Sequence, residues 1–344
     1  MRISADLPTG VAALLFGAAR ERREMEARLV RELEGSGYAE VILPVLDYAE
    51  PYDSFLTAAS RGELYRFVDR DGQLLVLRSD FTPMLARLLA PRLASLDLPL
   101  RLFYRGDVVR YQEERAGRLR EFYQLGAELL CREGEDTGAA DHEALRLFLR
   151  LLLQGTAGPV EVVLSFAGAL DELLLGAAGA EGPARLATAV ARRERGVARR
   201  ASAALLEVVD AGVPKDYAAL GPAAAARLAG LVALRDDVAA EFPEARLTID
   251  LAEFAHQALH PELLEAVGER AYYDGLVFHA HAGPAGVAVG GGGRYDRLFR
   301  GLGAPVSAVG FSLGLDRLLA PGSARVAAPV LEIPEIPEIA EVAP

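Results

Sequence analysis

Cysteine and lysine are the residues that this sequence most nearly lacks, and each shortage excludes a class of functional site. Cys131 is the only cysteine among 344 residues, which excludes an intrachain disulfide and a cysteine-cluster metal site. Lys215 is the only lysine and follows no glycine-rich loop, which excludes a P-loop nucleotide site. A Schiff-base enzyme would have to use this single lysine, so that chemistry is disfavoured as well.

Long apolar segments and excess positive charge are missing too. No run of about twenty apolar residues occurs, so we expect no transmembrane helix and no membrane partner. The N-terminal sequence MRISADLPTG lacks the basic-then-apolar pattern of a secretory signal, which predicts a cytoplasmic protein. The net charge of −12 argues against a broad nucleic-acid-binding surface.

The most informative stretch predicts a β-hairpin. Arg101–Tyr111 and Glu121–Leu130 are rich in apolar and aromatic residues, whereas Gln112–Arg120 is polar and suits an exposed connection. Alternate residues of a strand share a face, so one face of the second strand is apolar and packs, with Tyr123, Leu125, Ala127 and Leu129.

The other face of that strand carries polar groups. It places Gln124 and Glu128 on either side of Gly126, and a glycine inside a strand often marks the close approach of a ligand or of another backbone. Gln124 and Glu128 therefore suit a small polar ligand, and Arg110 adds a cation for a carboxylate or phosphate. The alternative is an amphipathic hairpin with a solvated polar face.

The same hairpin resembles a known family. The sequences RYQ from Arg110 and GRLREFYQLG from Gly117, followed by Glu128, are similar to motif 2 of histidyl-tRNA synthetase, with the same spacing from the arginine to the final glutamate. The resemblance implies an α+β fold of the class II aminoacyl-tRNA synthetase type. Such a fold has an antiparallel sheet flanked by helices, here with a helical insertion.

The N-terminal region resembles motif 1 of that family. Residues 9–34 have the spacing of an amphipathic helix, and Tyr38–Leu43 predicts a short strand that ends at Pro44. In class II synthetases this motif builds the dimer interface, so the resemblance implies a homodimer. An ordinary helix-to-strand unit is the alternative. The apolar positions of the predicted helix are Leu14, Leu15, Ala18, Met25, Leu29 and Leu33.

Asp80 and Thr82 are the next candidates. Leu64–Val68 and Gln73–Arg78 predict a hairpin with an Asp-Gly turn, which leads into LRSDFTP. Histidyl-tRNA synthetase has an acidic residue and a threonine here that hold the amino group of histidine. The resemblance therefore implies that Asp80 and Thr82 bind histidine; alternatively, they cap a helix through Met84–Leu89.

Two tyrosines complete the implied histidine pocket. Tyr272 and Tyr273 match a histidine-specific motif of the family, whose tyrosines help to read the imidazole. The arginine that this motif uses for amino-acid activation is replaced by Gly268. Arg270 lies two positions away, about 7 Å along an extended chain, and is no safe substitute.

The C-terminal part resembles two further segments. Val289–Asp296 is similar to the glycine-rich floor of the amino-acid pocket, and 308–318 is similar to motif 3, whose final arginine contacts ATP. Arg317 holds that arginine's place, but Gln112 replaces the motif 2 glutamate that contacts adenine. The two residues therefore indicate a vestigial nucleotide site. His279 and His281 share a strand face without an evident third ligand, so no metal site is predicted.

The remaining chain predicts one large domain and a tail. A helix at Asp141–Leu153 and a strand at Val160–Phe166 precede an Ala-, Leu- and Arg-rich helical insertion at about 168–241, after which strands follow at Arg246–Asp250 and Leu276–His281. Residues 1–320 are assigned to the synthetase-like domain. Residues 321–344, with the repeat Glu-Ile-Pro, predict a disordered tail.

Three departures from histidyl-tRNA synthetase point one way: Gly268, Gln112 and the lack of an anticodon-binding domain. This combination resembles the regulatory subunits of ATP phosphoribosyltransferase, over nearly all of residues 9–320. The resemblance implies no catalytic residue, no cofactor and no tRNA. It implies a short-form catalytic subunit as partner in the first step of histidine biosynthesis, and L-histidine as feedback inhibitor.

Two other functions stay open. A synthetase-like enzyme without an anticodon domain would activate histidine for another acceptor, which Arg110 and Arg317 favour and Gly268 and Gln112 oppose. A histidine sensor with a different partner is the third interpretation, because no sequence motif marks the partner surface.

Overall fold

The computed structural model describes residues 7–319 apart from 54–55, 57, 112–118, 135–136, 157, 180–181, 256–271 and 283–286. Gln112, Gly268 and the predicted tail 321–344 therefore lie outside the described residues. No described helix is long and apolar enough to cross a membrane.

Helices and strands alternate in no simple repeat. The helices are α1 Phe16–Gly35, α2 Ala58–Gly62, α3 Thr82–Leu89, α4 Thr137–Gly155, α5 Asp171–Ala177, α6 Pro183–Ala191, α7 Arg195–Ala201, α8 Ala203–Ala211, α9 Pro222–Glu241, α10 Asp296–Gly301 and α11 Leu315–Leu318. The strands are β1 Ala39–Glu40, β2 Leu46–Tyr48, β3 Arg66–Val68, β4 Leu74–Leu77, β5 Leu100–Val109, β6 Glu121–Arg132, β7 Val160–Phe166, β8 Ala245–Ile249, β9 Leu276–Ala282, β10 Val287–Arg294 and β11 Val306–Gly314.

Eight of these strands form one sheet in the order β1-β5-β6-β11-β10-β9-β7-β8. Its inner pairs are antiparallel, whereas β1–β5 and β7–β8 at the two edges are parallel. Helix α4 packs on one face through Phe148, whose ring centroid lies 4.9 Å from Phe278 and 5.3 Å from Phe311. A mixed sheet flanked by helices confirms the predicted α+β class.

The predicted hairpins are confirmed. Strands β5 and β6 pair as expected, with Tyr104 opposite Gly126. In the smaller sheet, β2-β4-β3, the turn between β3 and β4 is closed by the Asp69 backbone N–H, which donates to the Gln73 carbonyl at 2.9 Å. Gly72 has a φ of +81° in this turn, a conformation that L side chains rarely adopt.

The start of the first predicted helix is wrong. Helix α1 begins at Phe16 rather than at residue 9, and Leu15 is 63% exposed. The carbonyl of Gly10 accepts the backbone N–H of Arg120 at 2.6 Å, which holds the preceding segment beside the start of β6 instead of in a helix. The predicted core positions Met25, Leu29 and Leu33 are buried as expected, whereas Ala18 is exposed.

One strand prediction needs a smaller correction. Only Ala39–Glu40 of the predicted strand Tyr38–Leu43 pairs with β5, although the Val41 N–H still donates to the Phe103 carbonyl at 2.8 Å. The glycine-rich stretch Val289–Asp296 lies mostly in strand β10, which pairs with β9 and β11 and has a register shift against β9 between Ala288 and Gly290. Between 168 and 241 the described residues form the helices α5 to α9 without a strand, whereas the predicted domain boundaries stay a prediction.

Candidate functional site

A buried carboxyl group, that of Glu128 on β6, is the centre of the candidate site. It is 1% exposed and accepts hydrogen bonds from Thr82 Oγ1 at 2.7 Å, from the Tyr104 hydroxyl at 3.2 Å and from the Tyr295 hydroxyl. Burial raises the pKa of Glu128 to about 7, although the three hydroxyl groups favour the anion. No cation lies among these partners, so the carboxyl can change its charge near neutral pH.

Two glycines make room for these groups. Gly310 on β11 lies opposite Glu128, and a Cβ at Gly310 would be 1.5 Å from Glu128 Oε2. A Cβ at Gly126 would be 2.4 Å from the Tyr104 hydroxyl. The sequence suggested that Gly126 marks the close approach of a ligand or of another backbone, and the Phe311 carbonyl oxygen of β11 would indeed be 2.6 Å from a Cβ at this position, beside the Tyr104 side chain.

A small cavity of about 60 Å³ opens above Glu128. Five of the seven predicted histidine-binding residues line it, namely Asp80, Thr82, Glu128, Tyr272 and Tyr273. Gly291 and Gly292 of β10 line it too, as the glycine-rich resemblance implied. Arg110 and Gln124 are not among its lining residues.

Arg110 nevertheless contacts a residue of the cavity wall, because it forms an ion pair with Asp80. Its Nη2 is 3.0 Å from Asp80 Oδ2, and its Nε donates to the Ser79 carbonyl at 2.6 Å. Asp80 also accepts the Thr82 backbone N–H at 3.1 Å, so it supports the start of α3 and lines the cavity at once. This contact comes from the residue before the N-cap Phe81 and supports the start of α3, whereas histidine binding by Asp80 stays a prediction.

Gln124 presents an unused acceptor. The residue is 6% exposed, and its Oε1 is buried without a hydrogen-bond partner among the described residues. A buried polar atom without a partner costs about 1–3 kcal/mol. A ligand that donates a hydrogen bond to Oε1 would recover this free energy.

Three tyrosine rings form an aromatic cluster at the cavity. Tyr272 stacks on Tyr295 with ring centroids 5.7 Å apart, and Tyr273 lies edge-on to Tyr272 at 4.9 Å. Burial raises the pKa of all three hydroxyl groups above the ordinary value, so they stay neutral. The cluster can pack against a flat ring and hydrogen-bond to it.

Sequence reasoning missed Tyr104 and Tyr295 as site residues. Tyr104 faces Gly126 across the β5–β6 pair, and this register follows from the hairpin once its turn is known. Tyr295 directly follows the glycine-rich strand, within a stretch that the sequence already singled out. The hydroxyl contacts themselves depend on strands that are far apart in sequence.

The predicted nucleotide-site residue Arg317 lies elsewhere. Its guanidinium is 5.7 Å from the centroid of the Phe122 ring, and Arg110 is at the same distance from that ring. Arg317 also donates to the Ala288 carbonyl at 3.0 Å. Gln112, its predicted companion, lies outside the described residues, and among those described no group of three His, Cys, Asp or Glu side chains could hold a metal.

Comparison with known proteins gives a consistent result. A profile described as histidyl-tRNA synthetase matches residues 10–318. The ATP phosphoribosyltransferase regulatory subunit of Moorella thermoacetica is 34% identical over 91% of this chain and 81% of the relative. The crystal structure of an ATP phosphoribosyltransferase regulatory subunit/histidyl-tRNA synthetase from Bacillus halodurans has a TM-score of 0.74 at 25% identity, over 93% of this chain and 83% of that one.

A more distant structure shares the fold. One chain of the ATP phosphoribosyl transferase (HisG:HisZ) complex from Thermotoga maritima is 19% identical, with a TM-score of 0.62. The similarity covers 86% of this chain and 97% of that one.

Proposed function

The chain belongs to the ATP phosphoribosyltransferase regulatory subunits, a family with the fold of histidyl-tRNA synthetase, and from this membership we propose what it does. It binds a separate, short-form catalytic subunit of ATP phosphoribosyltransferase, is required for that subunit's activity and catalyses no reaction itself. It also binds L-histidine, the end product of the pathway, and transmits feedback inhibition.

The cavity that Asp80, Glu128 and the tyrosines line is the observation that carries histidine binding. Gln124, on the same face of β6 as Glu128, adds a buried acceptor without a partner among the described residues. A free amino acid brings an ammonium and a carboxylate, and Asp80 and Arg110 offer one charge for each. The ammonium then donates to Asp80 and Gln124, and the carboxylate pairs with Arg110. The imidazole donates to Glu128 and packs against Tyr272 and Tyr273.

Feedback is an allosteric coupling between this pocket and the catalytic partner. Histidine favours an inactive state of the complex by a coupling free energy of about 1–3 kcal/mol. The carboxyl group of Glu128 suits such a sensor, because the described residues that contact it are all hydroxyl groups, and a cationic or N–H ligand would add a stronger donor.

A steady-state assay of phosphoribosyl-ATP formation tests the assignment. The short catalytic subunit should turn over faster with this chain than without it, and histidine should lower that rate again. Unchanged turnover at saturating chain, with no mixed species in light scattering, rejects the regulatory role. If the Glu128→Gln complex stays fully active but is inhibited by histidine as the wild type is, feedback is sensed outside this pocket.

The chain also forms a homodimer through the segment after β1 and the small sheet. Apolar side chains are exposed there, with Ile42 at 89%, Val68 at 65% and Tyr48 at 56%. Contiguous exposed apolar surface marks interaction sites, and two-fold pairs are the commonest closed symmetry. Ile42→Asp should convert the dimer into a monomer in light scattering, whereas Leu175→Asp, at an exposed position on α5, should not.

One observation favours the synthetase-like alternative. Arg110 and Arg317 both lie over the Phe122 ring, and together they form a cationic surface on which a nucleotide phosphate can bind. We expect no histidine-dependent pyrophosphate exchange, because the motif arginine is replaced by Gly268. Robust exchange by the purified chain would favour the enzyme instead.

A further inference from the structure

A second and larger cavity lies away from the Glu128 pocket. It measures about 280 Å³ and is bounded by the first turns of α4, by α9 of the helical region and by the start of β9. Ligand pockets in proteins start at roughly 300 Å³. None of its lining residues lines the Glu128 cavity.

Two opposite charges line this cavity without touching each other. Asp141 on α4 and Arg227 on α9 interact electrostatically, yet no ion pair joins them among the described contacts. Arg294 forms an ion pair with Asp141, with its Nη2 2.7 Å from Asp141 Oδ1. Arg227 donates to the Ala167 carbonyl at 3.0 Å, and its guanidinium lies 4.6 Å from the centroid of the Phe166 ring.

The rest of the wall is mostly apolar. Phe166, Leu231, Leu234 and Leu276 line the cavity. Arg227 is an exposed residue, whereas the four apolar side chains are buried. A carboxylate and a cation on an apolar wall match a molecule that carries both charges and an apolar body.

We propose that this cavity binds a small zwitterion with an apolar side chain, of the class of aliphatic and aromatic α-amino acids. The ligand ammonium pairs with Asp141, its carboxylate pairs with Arg227, and its side chain packs on Phe166 and the three leucines. A simple anion would bring no partner to Asp141, and a neutral hydrocarbon would bring no partner to either charge, so a zwitterion fits this lining better than both. The site needs no part of the histidine pocket.

Gly230 offers a way to close the site without harming the fold. It lines the cavity, and a Cβ at this position of α9 would meet no atom within 4 Å. Gly230→Leu therefore fills the cavity and improves helix propensity. Gly176→Leu is the matched control, because Gly176 is also helical, also has open space around its Cβ and does not line the cavity.

Isothermal titration calorimetry of the full chain with L-leucine and L-phenylalanine tests the proposal. At least one should bind, and its N-acetyl and amide derivatives, which each lack one charge, should bind about tenfold more weakly. Gly230→Leu should abolish binding, Gly176→Leu should keep it, and Arg227→Gln should weaken it about tenfold. The proposal fails if neither amino acid binds saturably, if the amide binds as well as the acid, or if Gly230→Leu leaves binding unchanged.

Discussion

Glu26 of α1 and Glu128 of β6 are buried on opposite faces of β6, and their hydrogen-bond partners differ. Glu26 of α1 is 1% exposed, as Glu128 is. Glu26 accepts from Arg23 at 2.6 Å, from Arg105 at 2.7 Å and from the Tyr123 hydroxyl at 2.6 Å. Among the described residues, Glu128 accepts from hydroxyl groups only.

The different partners give the two carboxyl groups opposite pKa shifts. Burial alone would raise the pKa of Glu26, but hydrogen bonds from Tyr123, Arg23 and Arg105 outweigh it and lower that pKa. For Glu128 burial prevails, and the pKa rises to about 7. Equal burial therefore produces a structural ion cluster on one face and a titratable group on the other.

The largest expected effect comes from removing the charge on the structural side. Glu26→Gln leaves two arginines without their shared carboxylate and should lower the free energy of unfolding by about 3 kcal/mol. Glu128→Gln, the matched change, should cost less than about 1 kcal/mol at pH 7, because Glu128 is already partly protonated there. Urea denaturation measures both, and equal losses would refute the distinction.

Ligand binding should reverse this order. Glu128→Gln removes a charge-assisted hydrogen bond worth about 1.5–3 kcal/mol, so histidine affinity should fall about tenfold or more. Glu26→Gln, if it is folded at the assay temperature, should bind histidine as the wild type does. Calorimetry at pH 7.5 gives both constants, and a Glu128→Gln chain with wild-type affinity would remove Glu128 from the pocket.

The pH dependence of stability sharpens the comparison further. The folded pKa of Glu128 lies above the ordinary glutamate value of 4.5. Its contribution to the free energy of unfolding is therefore fully present below pH 4.5 and is lost as the pH rises through about 7. The folded pKa of Glu26 is lowered, so its contribution is present above 4.5 and is lost as the pH falls further. Between pH 5 and 7 the wild type should lose up to about 1.4 kcal/mol per pH unit relative to Glu128→Gln. Parallel curves for the two chains would contradict the raised pKa.

The smallest effect concerns a single hydroxyl group. Tyr104→Phe removes one of three donors to Glu128 and should cost about 1 kcal/mol in unfolding free energy. Because the lost bond favours the anion, the pKa of Glu128 should rise further, and the stability loss with pH should shift upward. Tyr123→Phe, on the Glu26 face, should leave that pH range unchanged.

The sequence predicted the elements of the pocket better than its contacts. The motif 2 hairpin identified Glu128 and the face it shares with Gln124, because strand alternation is a local property. Tyr295 was missed because its bond to Glu128 joins β6 to the end of β10 across the intervening strand β11. Contacts of that kind depend on strand order, which no local pattern contains.

The same limit explains the error at the N-terminus. Apolar spacing through Leu14 and Leu15 indicated a helix. The backbone hydrogen bond from Arg120 to Gly10 instead holds that segment beside the start of β6. Glu26 was not singled out either, because a glutamate among helical polar positions gives no sign that Tyr123 and Arg105 will enclose it. Local periodicity found Met25, Leu29 and Leu33 because those residues follow the helix repeat.

Gly310 restricts which substitutions the site can accept. A side chain there and a carboxylate at Glu128 compete for one space, because the Cβ and Oε2 would be 1.5 Å apart. A side chain at 310 therefore requires both a shorter residue at 128 and a shift of the Ala127 carbonyl oxygen, which would be 2.7 Å from the new Cβ. Substitutions at positions 128 and 310 therefore have to be designed together.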